Sequence, residues 1–195
     1  MHEPLGAAIQ ALIPMAIESG PGKLVCLTGF MGSGKSTAGR LLARQVGWPH
    51  VDLDARIEEA AGLEIPHIFA QRGEPEFRRM EHEQLVRAIG EAAEARHSRI
   101  ISLGGGTTAQ PQNLALLREN RAVLIWLECP LDVLLSRCVQ ITNRPLFRDE
   151  QSFRELYRQR LSFYRLADYT VDSNAEPVHV VEQILALGIF PKVIA

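Results

Sequence analysis

Apolar residues along this chain fall into short β-rich runs separated by stretches of helical periodicity. The runs stand at residues 24–28 (LVCLT), 50–53 (HVDL), 99–103 (RIISL), 122–128 (AVLIWLE) and 169–172 (YTVD). Those that begin at 24, 99 and 122 are almost continuously apolar, as strands covered on both faces must be. Strands of that kind alternating with helices predict a parallel sheet between two helix layers, a doubly wound α/β domain. In such a domain ligands gather at the carboxyl ends of the strands, so chemistry-bearing residues are expected just after each run.

At 195 residues and 46% hydrophobic, the chain can bury one full core, and no second domain is needed. The net charge of −2 leaves no general attraction for nucleic acid or an anionic membrane. An anionic substrate would have to be held by locally clustered arginines, which makes each arginine's position informative. Cys26, Cys129 and Cys138 are widely spaced and two lie in or beside apolar runs, so buried structural thiols in a reducing compartment are expected. No apolar run approaches the ~20 residues of a membrane span, which makes a cytoplasmic protein the expectation. Residues 1–22 lack the basic start and unbroken apolar stretch of a signal peptide. They admit either a short helix around Gly6 to Leu12 docked on the domain or a mobile extension. With no apolar stripe evident on an exposed helix, a monomer is expected.

After the first run, Gly29 through Gly34, Lys35 and Ser36 match G-x-x-x-x-G-K-[ST], with a strand before and a helical pattern after. Such a loop surrounds a polyphosphate with backbone N–H groups. Lys35 would place a point charge between the last two phosphates, and the Ser36 hydroxyl would ligate Mg²⁺. After the second run, Asp52 and Asp54 stand two apart; on an extended strand end they would point the same way, one toward a metal and one toward a substrate hydroxyl. Asp54 is also a candidate N-cap for the helix that follows.

Gly73 and Pro75 mark a turn into a long helix on which Arg78 and Glu81, three apart, can pair. His82 has no partner at i+4, so a paired-histidine metal helix is excluded. The third run ends in Gly104, Gly105 and Gly106, a costly triplet best explained by close approach to a ligand. Ser102 lies at the end of that run, where many phosphate-loop enzymes carry an aspartate, so Asp52 is the acidic candidate for the metal. Residues 139–151 carry Arg144 and a proline without a helical stripe. They suit a mobile lid that brings Arg144 to a transferring phosphoryl group. Arg160, four before Tyr164 on the next helix, reads equally as a surface charge or a site residue.

Together these residues resemble the shikimate kinase family. The segments that carry the likeness are GFMGSGKST, VDLD, GEPEFRRME, LGGG, NRPLF, R-x-x-x-Y at Arg160 to Tyr164, and VDSN, in the family's order across residues 24 to about 187. The resemblance implies a P-loop NTPase of the nucleoside-monophosphate-kinase-like type, with a five-stranded parallel sheet in the order 2-3-1-4-5 and a mobile lid. Residues 23–195 would form that domain. It implies ATP-dependent, Mg²⁺-assisted phosphorylation of the 3-hydroxyl of shikimate, a step of aromatic amino-acid biosynthesis.

By the same resemblance, Gly32, Ser33, Gly34, Lys35, Ser36, Thr37, Arg137 and Arg144 would bind ATP, with Arg137 and the loop after Asp172 on either side of adenine. Asp54, Arg78, Gly104, Gly105, Gly106 and Arg160 would bind shikimate. Lys35, Asp54 and Arg144 would carry the chemistry, and Ser36 with Asp52 through water would hold the metal. Two features depart from the family pattern: Ser162 where proline is frequent, expected to loosen the entry to a turn, and the amino-terminal extension. The alternatives are a gluconate-type kinase of similar fold and a non-catalytic ligand-sensing module. The former is opposed by the G-E-x-x-F-R and G-G-G segments, the latter by the presence of Lys35, Asp54 and Arg144.

Overall fold

The computed structural model describes residues 22–139 and 149–190. The proposed extension, apart from Gly22, and most of the proposed lid, Arg144 included, lie outside the described residues. In chain order the elements are β1 (Leu24–Thr28), α1 (Lys35–Val46), β2 (His50–Asp52), α2 (Leu53–Ala61), α3 (Ile65–Ala95), β3 (Arg99–Ser102), α4 (Pro111–Glu119), β4 (Val123–Glu128), α5 (Leu131–Val139), α6 (Glu150–Tyr164), β5 (Tyr169–Asp172) and α7 (Pro177–Ala186). All strand pairs are parallel, in the order β2-β3-β1-β4-β5. The expected sheet is present with its strands where the apolar runs place them.

Alternation along the strands sorts the core into two layers. Leu24 and Cys26 of β1 and Ile101 of β3 face α2, α3 and α4, meeting Leu53, Ile57, Leu85 and Leu117. Val25, Leu27 and Ile100 face the other way, onto Ala38 and Leu42 of α1 and Val181 and Ile184 of α7. A third cluster closes the carboxyl end of the sheet, where Phe30 meets Phe153 edge-on at 4.9 Å and Tyr157 at 5.3 Å, so α6 packs against the glycine loop after β1. Burying each such aliphatic or aromatic side chain contributes about 1.5–3 kcal/mol. Cys26, Cys129 and Cys138 are free and buried, as expected, and burial pushes the Cys26 thiol up to about 12.

Helix ends explain how the chain turns toward the site. Gly73 breaks α3 with φ 79° and ψ 169°, a conformation glycine adopts without strain, and Pro75 follows just after the break. This is the turn read from the sequence. At Ser162 no turn occurs: α6 continues through it to Tyr164, so the loosened entry expected there is not present. No helix among the described residues is long and apolar enough to cross a membrane.

Candidate active site

The loop from Gly29 to Gly34 links β1 to α1 at the carboxyl edge of the sheet. Gly34 sits at the N-cap of α1 in the left-handed region, φ 87°, and carries no side chain to obstruct the helix N-terminus. The Lys35 ammonium donates to the carbonyls of Gly29 at 2.9 Å and Phe30 at 3.0 Å, which holds it over the loop. Arg137 of α5 donates to the Gly32 carbonyl at 3.2 Å and, through both terminal nitrogens, to the Ser173 carbonyl at 3.3 Å. A cavity of about 290 Å³ opens beside this contact, walled by Gly32, Ser33, Gly34, Thr37 and Arg137 on one side and by Ser173, Glu176 and Pro177 on the other. Of the described residues assigned to ATP, Gly32, Ser33, Gly34, Thr37 and Arg137 line this cavity; Lys35 does not, its ammonium being held by the Gly29 and Phe30 carbonyls, and Ser36 lines a larger cavity.

That cavity, about 410 Å³, lies between α1, α2, α3, α6 and the glycine triplet. Ser36, Asp52, Asp54, Arg78, Gly104, Gly105, Gly106 and Arg160 all line it, so the residues assigned to metal and substrate share one space. The two aspartates reach it differently from the expectation. The strand ends at Asp52, whose carboxylate caps α2 by accepting from the Ala55 N–H at 3.3 Å. Asp54 is neither on an extended strand nor the cap but in the first turn of α2, where a carboxylate is favoured by the helix dipole.

Arg78 and Arg160 come from different helices and meet at the glycine triplet. Glu81, wholly buried, accepts from Arg78 at 2.9 Å and from the Thr107 hydroxyl at 2.7 Å; Glu74 holds the other edge of the guanidinium at 3.0 Å. Burial works against the charge on Arg78, but the Glu81 and Glu74 carboxylates outweigh it and its pKa is raised. Arg160 is 7% exposed, which removes the surface-charge reading of the sequence. It lies over the Phe30 ring at 5.7 Å, and its pKa is lowered, chiefly by burial and further by Arg78. The Tyr164 hydroxyl donates to the Gly105 carbonyl at 2.5 Å and ties α6 to the triplet; burial raises its pKa, with Arg160 opposing.

A Cβ at Gly104 would lie 2.8 Å from both Asp54 Oδ1 and Glu81 Oε1, and one at Gly106 would lie 2.9 to 3.0 Å from the guanidinium nitrogens of Arg78 and Arg160. At Gly104 and Gly106 charged side chains occupy the space a β-carbon would take, whereas a Cβ at Gly105 would meet nothing closer than 3.4 Å. The cavity therefore carries cations, Arg78 and Arg160 at Gly106 and Arg40 on α1, together with the carboxylates of Asp52, Asp54, Glu58 and Glu81.

Ile65 and Phe69, which line the cavity beside Phe77 of the G-E-x-x-F-R segment, were not singled out in the sequence, although their i,i+4 spacing was a usable signal. Among the described residues no three His, Cys, Asp or Glu side chains are grouped to hold a metal ion. A magnesium ion held by one hydroxyl, waters and substrate phosphates needs no such group.

The shikimate kinase family model matches residues 31–187. The shikimate kinase of Persephonella marina is 37% identical over 83% of this chain and 96% of its own length; that of Synechococcus sp. strain CC9605 is 42% identical over 85% and 82%. Among solved structures, a shikimate kinase from Acinetobacter baumannii in complex with shikimate superposes with a TM-score of 0.78 at 33% identity, covering 86% of this chain and 93% of that one. With the glycine loop, the triplet and the paired arginines assembled around one cavity, and with likeness of this extent, the chain belongs to the shikimate kinase family.

Proposed function

We propose that this protein transfers the γ-phosphoryl group of ATP to the 3-hydroxyl of shikimate, yielding ADP and shikimate 3-phosphate for aromatic amino-acid biosynthesis. The observation that carries this reading is the convergence of Arg78 and Arg160 on Gly106, in the cavity that Asp54 and Ser36 also line. A small polyol carboxylate has a rigid anionic end for two planar cations and hydroxyls for a carboxylate acceptor. ATP occupies the glycine loop, its phosphates on the N-terminus of α1, with adenine between Arg137 and the Ser173–Pro177 wall.

Ser36 and, through water, Asp52 would hold Mg²⁺; both line the cavity beside the loop, and hydroxyl and carboxylate oxygens suit a hard cation. When bound, the ion neutralises phosphate charge. Asp54 accepts a hydrogen bond from the 3-hydroxyl and receives its proton as the new O–P bond forms and the bond from Pγ to the β-phosphate oxygen breaks. Lys35 leaves the carbonyls of Gly29 and Phe30 to stabilise the charge on the phosphoryl oxygens, and Arg144 adds a second cation. The protein works as a monomer in the cytoplasm, a reducing compartment that suits its three buried thiols.

A coupled assay of ADP release with shikimate, gluconate or no acceptor tests the reading. Release dependent on shikimate alone supports it. Preference for gluconate establishes the sugar-kinase alternative, and shikimate binding without release the sensing module.

A further inference from the structure

We propose that Ser102 and His50 are positioning residues for the phosphate loop, forming a relay that fixes the first turn of α1 through the backbone carbonyl of Lys35. Neither is in contact with the cavities; both act through α1. Ser102 ends β3 and faces α1, on the side of the sheet where Ile100, Ala38 and Leu42 form an apolar layer, and is 2% exposed. Its hydroxyl donates to the Lys35 carbonyl at 2.9 Å, and the same oxygen lies 2.9 Å from His50 Nε2. Since the single Ser102 hydrogen goes to Lys35, the proton between Ser102 and His50 must sit on Nε2, which makes the order His50 to Ser102 to Lys35. Burial lowers the His50 pKa, opposed by Asp52 and reinforced by Arg40.

Gly39 supplies an independent observation. It is buried within α1, one turn after Lys35, and a Cβ there would lie 2.5 Å from both His50 Nε2 and Ser102 Oγ. Glycine inside a helix costs about 0.5–1 kcal/mol relative to alanine. Here it admits two polar side chains to the helix backbone. In a regular helix the Lys35 carbonyl already accepts from the N–H of residue 39, so Ser102 takes its second lone pair. Residues 35 and 36, whose ammonium and hydroxyl are proposed to meet phosphate and metal, are thereby tied to the carboxyl end of β3. Where many phosphate-loop enzymes place an acidic metal partner, this chain uses a hydroxyl whose hydrogen is committed to the loop's own backbone.

The kinetic part of the test rests on the proposed function; the nucleotide part does not. Ser102→Ala, His50→Leu, His50→Gln and Gly39→Ala are compared for Mg·ADP affinity by calorimetry, shikimate affinity without nucleotide, kcat and melting temperature. Losing one such hydrogen bond corresponds to about three- to tenfold. Ser102→Ala, His50→Leu and Gly39→Ala are each expected to weaken Mg·ADP by that factor and to lower kcat at least as much, with shikimate affinity unchanged. His50→Gln, which keeps an N–H near Nε2, is expected to remain within about twofold of the parent.

If Ser102→Ala melts lower but keeps Mg·ADP affinity and kcat within twofold, the pair is only a structural brace and the proposal is overturned. Equal behaviour of His50→Gln and His50→Leu overturns the part played by His50. Should Gly39→Ala not fold, the other three variants still decide. A parent protein that binds Mg·ADP but does not phosphorylate shikimate refutes the proposed function while leaving the relay to be judged on nucleotide affinity.

Discussion

The guanidinium nitrogens of Arg78 and Arg160 lie 2.9 and 3.0 Å from one point, the place of a Cβ on Gly106, so the two groups stand within about 6 Å of each other. Two cations that close, one of them buried among aromatic rings, are stable because Glu81 balances Arg78; a ligand carboxylate would balance Arg160. Each fork makes a planar contact that an ammonium cannot copy. Arg78→Lys and Arg160→Lys should therefore each weaken shikimate binding by about ten- to a hundredfold, the range of about 1.5–3 kcal/mol for a charge-assisted bond. ATP affinity should stay unchanged, and the double variant should lose less than the sum because both side chains serve one ligand group. Calorimetric titration checks this; an unaltered affinity in either single variant removes that arginine from the clamp.

Lys35 and Asp54 should separate by the step each affects. Lys35→Met removes the charge that meets the transferring group, so kcat should fall by several orders of magnitude while the melting temperature holds. Asp54→Asn keeps the shape and removes the proton acceptor. Turnover should drop with nucleotide affinity near that of the parent. A parallel loss of nucleotide affinity in Asp54→Asn would move that residue to the ATP site.

Glu81 is the brace of the clamp, and its substitution should register as stability as well as binding. With no solvent exposure, it supplies the carboxylate that pairs with and orients the Arg78 guanidinium. Glu81→Gln retains a partner for Thr107 but leaves Arg78 with Glu74 alone, at an expected cost of about 1–3 kcal/mol in unfolding free energy. Shikimate affinity should fall with it. A denaturant titration beside a binding isotherm measures both; unchanged stability would mean that Glu74 suffices.

What the sequence disclosed and what it withheld follow from how local each feature is. The glycine loop was readable because its function is set by adjacent residues: glycines for backbone approach, then Lys35 and Ser36 at the helix start. The strands were readable from continuous apolar runs, but their order came only through resemblance. The aspartates were misplaced because Asp52 and Asp54 are equally good caps in isolation, and only the observed start of α2 at Leu53 decides between them. Arg160 was undecided from charge alone, yet Phe153, Arg160 and Tyr164, the buried positions of α6, share one helical face, a spacing that could have placed it inward. The His50–Ser102 contact was out of reach because it depends on the register of β2 against β3, where Asp52 pairs with Ser102.

The neighbouring glycines Gly104 and Gly106 offer a sharper separation of binding from chemistry than any charged residue, because each borders a different part of the site. A methyl group at Gly106 would have guanidinium nitrogens as its nearest neighbours, at 2.9 to 3.0 Å, and would push Arg78 and Arg160 from their common point. Gly106→Ala should raise the KM for shikimate about tenfold or more, with a smaller change in kcat once substrate saturates. A methyl group at Gly104 would instead meet Asp54 and Glu81 at 2.8 Å and Thr107 at 3.0 Å. Displacing Asp54 from the acceptor hydroxyl misaligns the proton transfer, and misplacement by about 1 Å can cost on the order of a hundredfold. Gly104→Ala should thus lower kcat more than it raises KM. Neither backbone position has positive φ, so the substitutions add no conformational strain of their own. Steady-state kinetics on both variants, with melting curves to verify folding, provides the test. If the two alter KM and kcat in the same proportion, the clamp and the proton acceptor are not separable through the triplet, and the assignment of Asp54 to the chemical step loses its support.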